Sequence, residues 1–337
     1  MVPALAVADV LRAEGCEVVF VGGERAERRL VPAAGFELLP IRVEGLSRRN
    51  PLRAARAAAR AAVAVGVAAR LLRALRPAAV LGGGGYVAGP VGLAAAARRV
   101  PLVLAEADSH LGITNRLLAR FARRVCLAFA IEGRSGPRYR VTGRAIPPPA
   151  TDRPAARRRF ALTEGERCVL VFGGSLGART INEAAIDAFR APVARILHVS
   201  GSRDFAALRP RVPGPHYDLR EYLDAFNDAL LASDLCVSRA GGGIFEIAAH
   251  GRPAVLVPYP HATADHQAAN AAWMARGGAA VVVADAELDA ARLAREVGTL
   301  LGDPGRLGAM ARASAALARP HAARDVAEEV LAAACRQ

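Results

Sequence analysis

The stretch that decides the fold runs from Asp234 to Asn270 and reads DLCVSRAGGGIFEIAAHGRPAVLVPYPHATADHQAAN. It contains two short apolar runs, Leu235 to Ser238 and Ala254 to Val257, and each is followed by a loop and a helical segment. Strands that alternate with helices predict a parallel α/β sheet. Open sheets of this kind bind ligands beyond the carboxyl ends of their strands, where these two loops lie.

The two loops carry the residue types of an anion-binding site. A glycine turn ahead of a helix presents free backbone N–H groups and the positive end of the helix dipole, which favour a phosphate. Glu246, in the first turn of that helix, has two interpretations: it complements the dipole, or it binds a ligand. The candidate contacts in the two loops are Arg239, Gly241, Gly242, Glu246, Asp265 and Gln267.

Composition indicates a folded protein with a basic face. The chain has 337 residues, is 53% hydrophobic and carries a formal net charge of +14. This length is enough for two domains, each with its own core. All 45 basic residues are arginine, which indicates biased genomic composition. Residues 45–105 contain ten arginines and no Asp or Glu, so this part of the chain is predicted to face an anionic partner.

The cysteines and the first residues bear on the compartment. Five cysteines are scattered and form no C-x-x-C pair, so neither a disulfide framework nor a metal centre is predicted. The first residues lack the basic region of a signal peptide. These features favour the cytoplasm.

Two more glycine loops follow predicted strands. Cys168–Phe172 precedes GGSLGA, which has the spacing of neither a Walker loop nor the dinucleotide fingerprint. Its N–H groups and one hydroxyl suit a phosphate, through Gly173, Gly174, Ser175 and Gly177. A strand at residues 78–81 precedes four glycines in a row, which let the backbone approach a ligand closely.

These motifs resemble those of the MurG family, the family-28 glycosyltransferases of peptidoglycan synthesis. GGYVAGP at residues 84–90 is similar to the family's loop G-G-Y-x-S-G-P, and GGSLGA at residues 173–178 to G-G-S-Q-G-A. Residues 105–116 align with the family pattern H-E-Q-N-x-x-P-G-x-x-N-R and match it at Glu106, Gly112, Asn115 and Arg116. The resemblance covers essentially the whole chain.

The resemblance implies an α/β fold of two Rossmann-like domains facing a cleft, the arrangement called GT-B. Residues 1–146 would form the acceptor-binding, membrane-facing domain, and residues 147–163 a proline-rich linker. Residues 164–318 would form the donor domain, and residues 319–337 a helix that packs back toward the first domain.

The resemblance also implies a hexosyltransferase reaction. N-acetylglucosamine would pass from UDP-N-acetylglucosamine, with inversion, to the C4 hydroxyl of the muramyl sugar of lipid I, giving lipid II and UDP without a metal or cofactor. The GGSLGA loop would meet the donor diphosphate, Leu223 the uracil, Glu246 the ribose, and Asp265 with Gln267 the sugar. Arg239 would either add a cation or form a structural pair under the glycine turn.

For lipid I, the resemblance implies an acceptor site in the first domain. Its candidate residues are Gly83, Gly84, Gly85, Tyr86, Glu106 and Asn115. In the family a strand and a G-G-T-G-G-H loop precede the residues with which this sequence begins, so a misassigned start codon or a truncated gene is suspected. Asp108, where the family has Asn, is then the candidate general base. His110 is expected to be an exposed loop residue.

The Arg-rich segment Pro51–Leu75 has two interpretations: an amphipathic helix pair on anionic lipid, or a solvated face of an ordinary helix. Because the implied substrate is lipid-linked, the Arg-rich segment favours a peripheral protein on the cytoplasmic face of the plasma membrane. No nucleic-acid partner is expected. Two alternatives stay open. One is a UDP-sugar transferase with a different lipid acceptor. The other is a non-catalytic, decayed paralogue that binds nucleotide sugar, which the missing first loop and the departures from the family pattern at Ala88, Asp108, Pro147 and Leu176 support.

Overall fold

The computed structural model describes residues 1–23, 26–41, 51–174, 177–262 and 265–335, and the side chains of all of these except residues 26 and 51–61. The chain divides into two compact units. Unit 1 comprises Met1–Pro148 with Arg319–Gln337, and unit 2 comprises Pro149–Ala318. Each is a Rossmann-like unit of parallel strands and helices. The predicted fold class of two Rossmann-like α/β domains is confirmed.

Unit 1 is built on parallel strands. Strand β1 pairs with β2, and a second sheet has the order β3-β4-β5-β6. The strands are β1 (Val19–Gly22), β2 (Glu37–Pro40), β3 (Val80–Gly82), β4 (Leu102–Glu106), β5 (Arg124–Leu127) and β6 (Tyr139–Val141). The helices are α1 (Val2–Ala13), α2 (Ala26–Ala33), α3 (Pro51–Leu75), α4 (Gly85–Ala97), α5 (Ile113–Leu118) and, from the end of the chain, α14 (Ala322–Ala334).

The last helix of the chain belongs to the core of unit 1. Val326 and Val330 of α14 are buried in one cluster with Val7 of α1 and Val103 of β4. Glu329 of α14 also accepts a hydrogen bond of 2.6 Å from Nε of Arg124. Apolar burial and this ion pair together anchor the helix on the sheet.

The Arg-rich segment forms one continuous helix of 25 residues, α3, which agrees with the interpretation as an ordinary helix and not with the helix pair. Alanine dominates its sequence and has the highest helix propensity, so no break is needed. Ala64, Ala68 and Leu72, spaced four residues apart, are buried against α4. Arg70 and Arg73 are exposed. The side chains of Arg53, Arg56 and Arg60 lie outside the described residues, as do Arg48 and Arg49.

Unit 2 contains a six-stranded parallel sheet with the order β9-β8-β7-β10-β11-β12. The strands are β7 (Cys168–Phe172), β8 (Arg195–Val199), β9 (Tyr217–Arg220), β10 (Leu235–Ser238), β11 (Ala254–Leu256) and β12 (Ala280–Val282). Counted from the first strand of the unit, this is the Rossmann order 3-2-1-4-5-6, which reverses direction between β7 and β10. Both strands are buried along their whole length, as apolar runs in a sheet covered on two faces should be.

Helices cover the sheet of unit 2. They are α6 (Arg153–Arg159), α7 (Arg179–Ala188), α8 (Phe205–Leu208), α9 (Phe226–Ala232), α10 (Gly243–Ala249), α11 (His266–Arg276), α12 (Ala290–Leu301) and α13 (Pro304–Leu317). Helix α6 lies within the segment predicted as linker, yet it packs on α9. Arg153 of α6 donates a hydrogen bond of 2.8 Å to Asp234. Residues 153–159 are therefore part of unit 2. None of the helices in the described ranges is long and apolar enough to cross a membrane.

Candidate functional site

Two glycine loops lie side by side at the point where the strand order of unit 2 reverses. Strands β7 and β10 are paired, and their last residues, Phe172 and Ser238, are partners in the register. The loop at residues 173–178 follows the first strand, and the loop at residues 239–242 follows the second. This switch point is where doubly wound sheets bind ligands, so the tertiary structure brings the two sequence motifs together in one crevice.

Close packing accounts for the glycines of the first loop. Gly177 has φ +77°, and a Cβ atom there would lie 1.9 Å from the carbonyl oxygen of Ser200. A Cβ atom at Gly173 would lie 2.4 Å from Cβ of Ala178. The N–H of Gly177 donates a hydrogen bond of 2.9 Å to the carbonyl of Gly174. The loop is therefore a tight turn pressed against the end of β8. Ser175 and Leu176 lie outside the described residues.

A buried network of hydrogen-bonded polar side chains supports the first loop. Nδ2 of Asn182, on α7, donates to the Ser200 carbonyl at 2.9 Å, and Oδ1 lies 3.0 Å from Nε2 of His198. Nδ1 of His198 lies 2.7 Å from the hydroxyl of Tyr217. Burial lowers the pKa of His198 to about 3, so the ring is neutral at physiological pH. A neutral ring donates from Nε2 to Asn182 and accepts the Tyr217 O–H, which satisfies every partner.

This network of polar side chains ends at the carboxylate of Asp204, which neighbours basic side chains. Oδ2 of Asp204 accepts a hydrogen bond of 2.9 Å from Nδ2 of Asn182. Arg203 and Arg179 donate to the same carboxylate at 3.2 and 3.4 Å. Burial raises the pKa of Asp204, but the hydrogen bonds from Arg203 and Asn182 outweigh it and hold the pKa below its usual value. Asp204 stays ionised and anchors the network.

The second loop is held by Arg239 and Asn270. Nη1 of Arg239 donates to the Val257 carbonyl at 3.2 Å and pairs with the carboxylate of Asp285. The Arg239 side chain is only 11% exposed, so the geometry favours the structural pair over a cation offered to a ligand. Nδ2 of Asn270, on α11, donates to the Ala240 carbonyl at 2.9 Å. Together these bonds tie the glycine turn to β11 and α11.

The remaining predicted donor contacts lie around the same crevice. Glu246 is half-buried in the first turn of α10, and its Oε2 lies 4.0 Å from the position of a Cβ atom at Gly243. Oε1 of Gln267 accepts a hydrogen bond of 2.9 Å from the N–H of Tyr259. Its Nε2 lies 3.9 Å from the position of a Cβ atom at Gly241, which places this amide beside the second loop. Asp265, with φ +53°, is the N-cap residue that precedes α11.

The predicted uracil contact, Leu223, lies in a segment that leads to an aromatic pair beside the first loop. Leu223 is buried in the segment that follows β9. Three residues later Phe226 meets Phe172, the last residue of β7, edge to face at 4.9 Å between ring centroids. The contact joins the start of α9, three residues beyond Leu223, to the residue that precedes the first loop.

In unit 1, the predicted acceptor residues gather at the carboxyl ends of β3 and β4. Gly84 and Gly85 have φ near +79° and begin α4. The side chain of Asn115, on α5, is buried with Nδ2 3.5 Å from the position of a Cβ atom at Gly84. The hydroxyl of Thr114 donates to the Gly85 carbonyl at 3.0 Å. Tyr86 is exposed at the start of the helix, so it is accessible to a ligand.

Glu106 organises the loop that contains Asp108. The buried carboxylate accepts hydrogen bonds from the N–H groups of Asp108 and Gly112, at 3.2 and 2.9 Å, and from Nδ2 of Asn115 at 3.0 Å. Because the carboxylate oxygens accept hydrogen bonds from these three groups, Glu106 fixes the conformation of the loop. Asp108 is half-buried beyond the end of β4, the strand next to β3.

Several supporting residues were missed by sequence reasoning. They are Asn182, His198, Asp204, Tyr217 and Asp285, and none of them is among the candidate site residues predicted from the sequence. Each acts through a partner distant in sequence, such as Tyr217 for His198 and Asp285 for Arg239. Within the described ranges, no group of three or more His, Cys, Asp or Glu side chains is arranged to hold a metal ion.

Comparison with known proteins gives matches along the chain. The model of the glycosyltransferase family 28 N-terminal domain matches residues 1–127, and that of the family 28 C-terminal domain matches residues 168–330. A protein of Moorella thermoacetica is 40% identical over 98% of this chain and 94% of its own length. A protein of Rubrobacter xylanophilus is 41% identical over 97% of this chain and 98% of its own.

Both relatives are named UDP-N-acetylglucosamine--N-acetylmuramyl-(pentapeptide) pyrophosphoryl-undecaprenol N-acetylglucosamine transferase. Among solved structures, the crystal structure of Acinetobacter baumannii MurG superposes with a TM-score of 0.77 at 29% identity. The match covers 98% of this chain and 95% of that one. The similarity therefore extends over both units.

Proposed function

The chain belongs to glycosyltransferase family 28, and on this premise we propose that it transfers N-acetylglucosamine from UDP-N-acetylglucosamine to lipid I, giving lipid II and UDP in peptidoglycan synthesis. The observation that carries the proposal is near-full-length identity of about 40% to transferases named for this reaction. The paired glycine loops at the switch point of unit 2 support the use of a nucleotide donor.

The donor diphosphate binds the loop of Gly173, Gly174, Ser175 and Gly177. The start of α7 has no side-chain cap, so its first N–H groups can bind the diphosphate, and the hydrogen bond from Asn182 to Ser200 supports the loop. As the bond to UDP breaks, negative charge grows on the diphosphate. Donors already in place stabilise that charge without reorganisation.

The rest of the donor binds the surrounding loops. Backbone groups at Leu223 hold uracil, Glu246 accepts hydrogen bonds from the ribose hydroxyls, and Asp265 and Gln267 bind the sugar hydroxyls. Gly241 and Gly242 let the second loop approach the donor closely. Arg239 acts by positioning this loop, because its guanidinium group already pairs with Asp285 and with the Val257 carbonyl.

The acceptor binds unit 1 at Gly83, Gly84, Gly85 and Tyr86, with Glu106 and Asn115 shaping the site from below. Two glycines with positive φ leave backbone groups open to the lipid diphosphate. Glu106 and Asn115 are buried and bonded to each other, so their effect on the acceptor passes through the loops they hold.

Asp108 is the general base of the proposed reaction. Its carboxylate takes the proton of the C4 hydroxyl as that oxygen forms a bond to the anomeric carbon. The bond from this carbon to the β-phosphate oxygen of UDP breaks on the opposite face, which inverts the configuration. Such a base typically contributes about 10²- to 10⁴-fold in rate.

The protein acts at the cytoplasmic face of the plasma membrane. Exposed apolar side chains on neighbouring helices α4 and α5, among them Leu93, Ile113 and Leu117, form a surface suited to lipid. Exposed arginines of α3, Arg70 and Arg73, suit anionic headgroups. This surface supports peripheral attachment beside a lipid-linked acceptor.

Turnover of labelled UDP-N-acetylglucosamine with a soluble lipid I analogue tests the proposal. Formation of the disaccharide product with release of UDP is expected. Turnover with other lipid acceptors but not with the lipid I analogue would identify a transferase that acts on a different lipid acceptor. Binding of UDP without turnover of any acceptor would identify the non-catalytic paralogue.

A further inference from the structure

The carboxyl ends of the unit 2 strands, where the two glycine loops lie, also carry arginines. They include Arg179 at the start of α7, Arg203 after β8, Arg220 at the end of β9 and Arg239 after β10. A cation fixed beside the donor diphosphate would stabilise the negative charge that grows there during transfer. The contacts of each guanidinium group decide which of them can take this role.

Two of these side chains already bind other groups. Arg239 is largely buried and pairs with the carboxylate of Asp285. Arg220 donates a hydrogen bond of 2.8 Å to Asp218, and its guanidinium carbon lies 5.3 Å from the ring centroid of Phe160 at the end of α6. Each of these two guanidinium groups therefore has its own carboxylate.

Arg179 and Arg203 instead share one carboxylate, that of Asp204. Arg203 makes a side-on pair, in which Nε and Nη2 donate to Oδ1 and Oδ2 at 3.2 Å each. Arg179 makes a single hydrogen bond through Nε, at 3.4 Å. Two guanidinium groups on one carboxylate leave a surplus of positive charge, which a diphosphate can neutralise. Arg203 is held in a defined orientation, yet its side chain is 47% exposed and accessible to a ligand.

Asp204 places Arg203 beside the first glycine loop. Nδ2 of Asn182 donates hydrogen bonds of 2.9 Å both to Asp204 and to the carbonyl oxygen of Ser200. Gly177 packs against that carbonyl oxygen. The carboxylate that orients Arg203 is thus bonded to the same amide group that supports the proposed diphosphate loop.

Arg203 is also near the loop that follows β11. The pKa of Arg203 lies above its usual value, mainly because of its hydrogen bonds to Asp204 and also because of the phenolic group of Tyr259. The N–H of Tyr259 donates to Oε1 of Gln267, a proposed sugar contact. The Tyr259 ring centroid lies 5.5 Å from the guanidinium carbon of Arg239, at the second glycine loop. Arg203 therefore neighbours the loops proposed to hold the diphosphate and the sugar of the donor.

We propose that Arg203 is a catalytic residue that binds the diphosphate of the nucleotide-sugar donor, an inference that rests on the proposed transferase function. Because Nε and one N–H of Nη2 face Asp204, Nη1 and the second N–H of Nη2 remain for two phosphate oxygens. During transfer the acceptor hydroxyl oxygen bonds to the anomeric carbon and gives its proton to Asp108. The bond from that carbon to the β-phosphate oxygen breaks, and its electron pair stays on the oxygen. The fixed guanidinium group of Arg203 stabilises the charge on the departing UDP.

The test compares Arg203→Gln with Arg190→Gln in the full chain. Arg190 is the matched control, because it is exposed, pairs with Asp187 at 2.6 Å and lies just beyond the end of α7 that is away from the first loop. Each variant removes one cation and one ion pair from unit 2. UDP and uridine are titrated by calorimetry, since uridine keeps the base and the ribose and lacks the diphosphate. Arg203→Lys, which keeps the charge and loses the planar fork, is measured in parallel.

Arg203→Gln is expected to weaken UDP binding about tenfold or more and to leave uridine affinity within about twofold of the parent. Its kcat for transfer should also fall about tenfold or more, because the charge on the leaving group loses its cation. Arg203→Lys should bind UDP with an affinity between those of Arg203→Gln and the parent. Arg190→Gln should match the parent for both ligands.

Equal losses of UDP and uridine affinity in Arg203→Gln would show that this residue only maintains the shape of the site, and would overturn its assignment to the diphosphate. UDP affinity and kcat equal to those of the parent would overturn it as well, while UDP binding and turnover by the parent leave the transferase function standing. A parent chain that binds no UDP would contradict the transferase function itself.

Discussion

Gly177 and Ser200 approach each other so closely that a Cβ atom at the glycine would lie 1.9 Å from the serine carbonyl oxygen. The same oxygen accepts a hydrogen bond from Asn182, so it cannot move away without breaking that bond. The first glycine loop is thereby held by contact on one side and by a buried polar chain on the other. The proposed diphosphate site depends on this arrangement.

Gly177→Ala is expected to lower the free energy of unfolding by about 2 kcal/mol or more and to weaken UDP binding, because it adds a clash to an unfavourable φ. Gly165→Ala is the matched control. Gly165 has φ +78° in the same unit, and no described atom lies within 4 Å of an added Cβ. Gly165→Ala should lower the free energy of unfolding only by the cost of placing alanine at a positive φ, about 1 kcal/mol. Denaturant unfolding and UDP titration measure both; equal effects of the two variants would contradict the packing argument.

His198 makes stability depend on pH. Burial lowers its pKa to about 3, whereas the unfolded chain takes up the proton near the ordinary value of 6.5. The unfolded state binds more protons between these values, so stability falls as pH drops below 6.5. His198 alone changes the free energy of unfolding by up to about 1.4 kcal/mol per pH unit. In His198→Gln the slope of unfolding free energy between pH 6 and pH 5 should decrease by about that amount.

Tyr217→Phe is the control for this experiment, because it removes one hydrogen bond and leaves His198 buried. It should lower stability by about 1 kcal/mol and retain the pH slope of the parent. An unchanged slope in His198→Gln would show that His198 does not titrate as described.

Asp108→Asn is expected to lower kcat for transfer by about 10²-fold or more, because the amide cannot accept the proton of the acceptor hydroxyl. UDP affinity should remain within about twofold of the parent, since the proposed donor residues lie in unit 2. Glu132→Gln, an exposed carboxylate of unit 1, is the control and should keep parental kcat. Steady-state kinetics decide the matter, and full activity of Asp108→Asn would exclude it as base.

The pair of Arg239 and Asp285 is expected to position the second glycine loop. Asp285→Asn leaves a largely buried guanidinium group without its anion, at a cost of about 2 kcal/mol in unfolding free energy. A double-mutant cycle with Arg239→Met should give a coupling energy of about 1 kcal/mol or more. The KM for UDP-N-acetylglucosamine should rise in both single variants. Additive effects in the cycle would indicate that the two residues act independently.

Local features of the sequence predicted much of the fold. The bounds of β7, β10 and α3 agree with the predicted segments, since uninterrupted apolar or alanine-rich runs carry their own periodicity and end at glycine, proline or polar residues. For the Arg-rich segment the sequence left a helix pair and a single helix open, and the structure has the single helix, because a lone glycine, Gly66, is tolerated inside a helix that packs well.

The candidate site was predicted in part. Glycine motifs are local, so the sequence located the loops that begin at Gly173 and Arg239 and the glycines before Tyr86. It did not distinguish a ligand contact from a structural pair at Arg239, because that depends on Asp285, 46 residues away along the chain. Glu106 was predicted to contact the acceptor, and only its three hydrogen-bond donors revealed that it shapes a loop.

The sequence by itself determined the parallel α/β class, the positions of the glycine turns and the absence of acidic residues from residues 45–105, because periodicity, turn chemistry and charge are properties of neighbouring residues. Only the tertiary structure decided which turns meet. The strand order of unit 2 places β7 beside β10, and the hydrogen bonds that link Tyr217, His198 and Asn182 support the first turn. Such contacts arise from the burial of distant apolar surfaces against one another, and no local pattern encodes them.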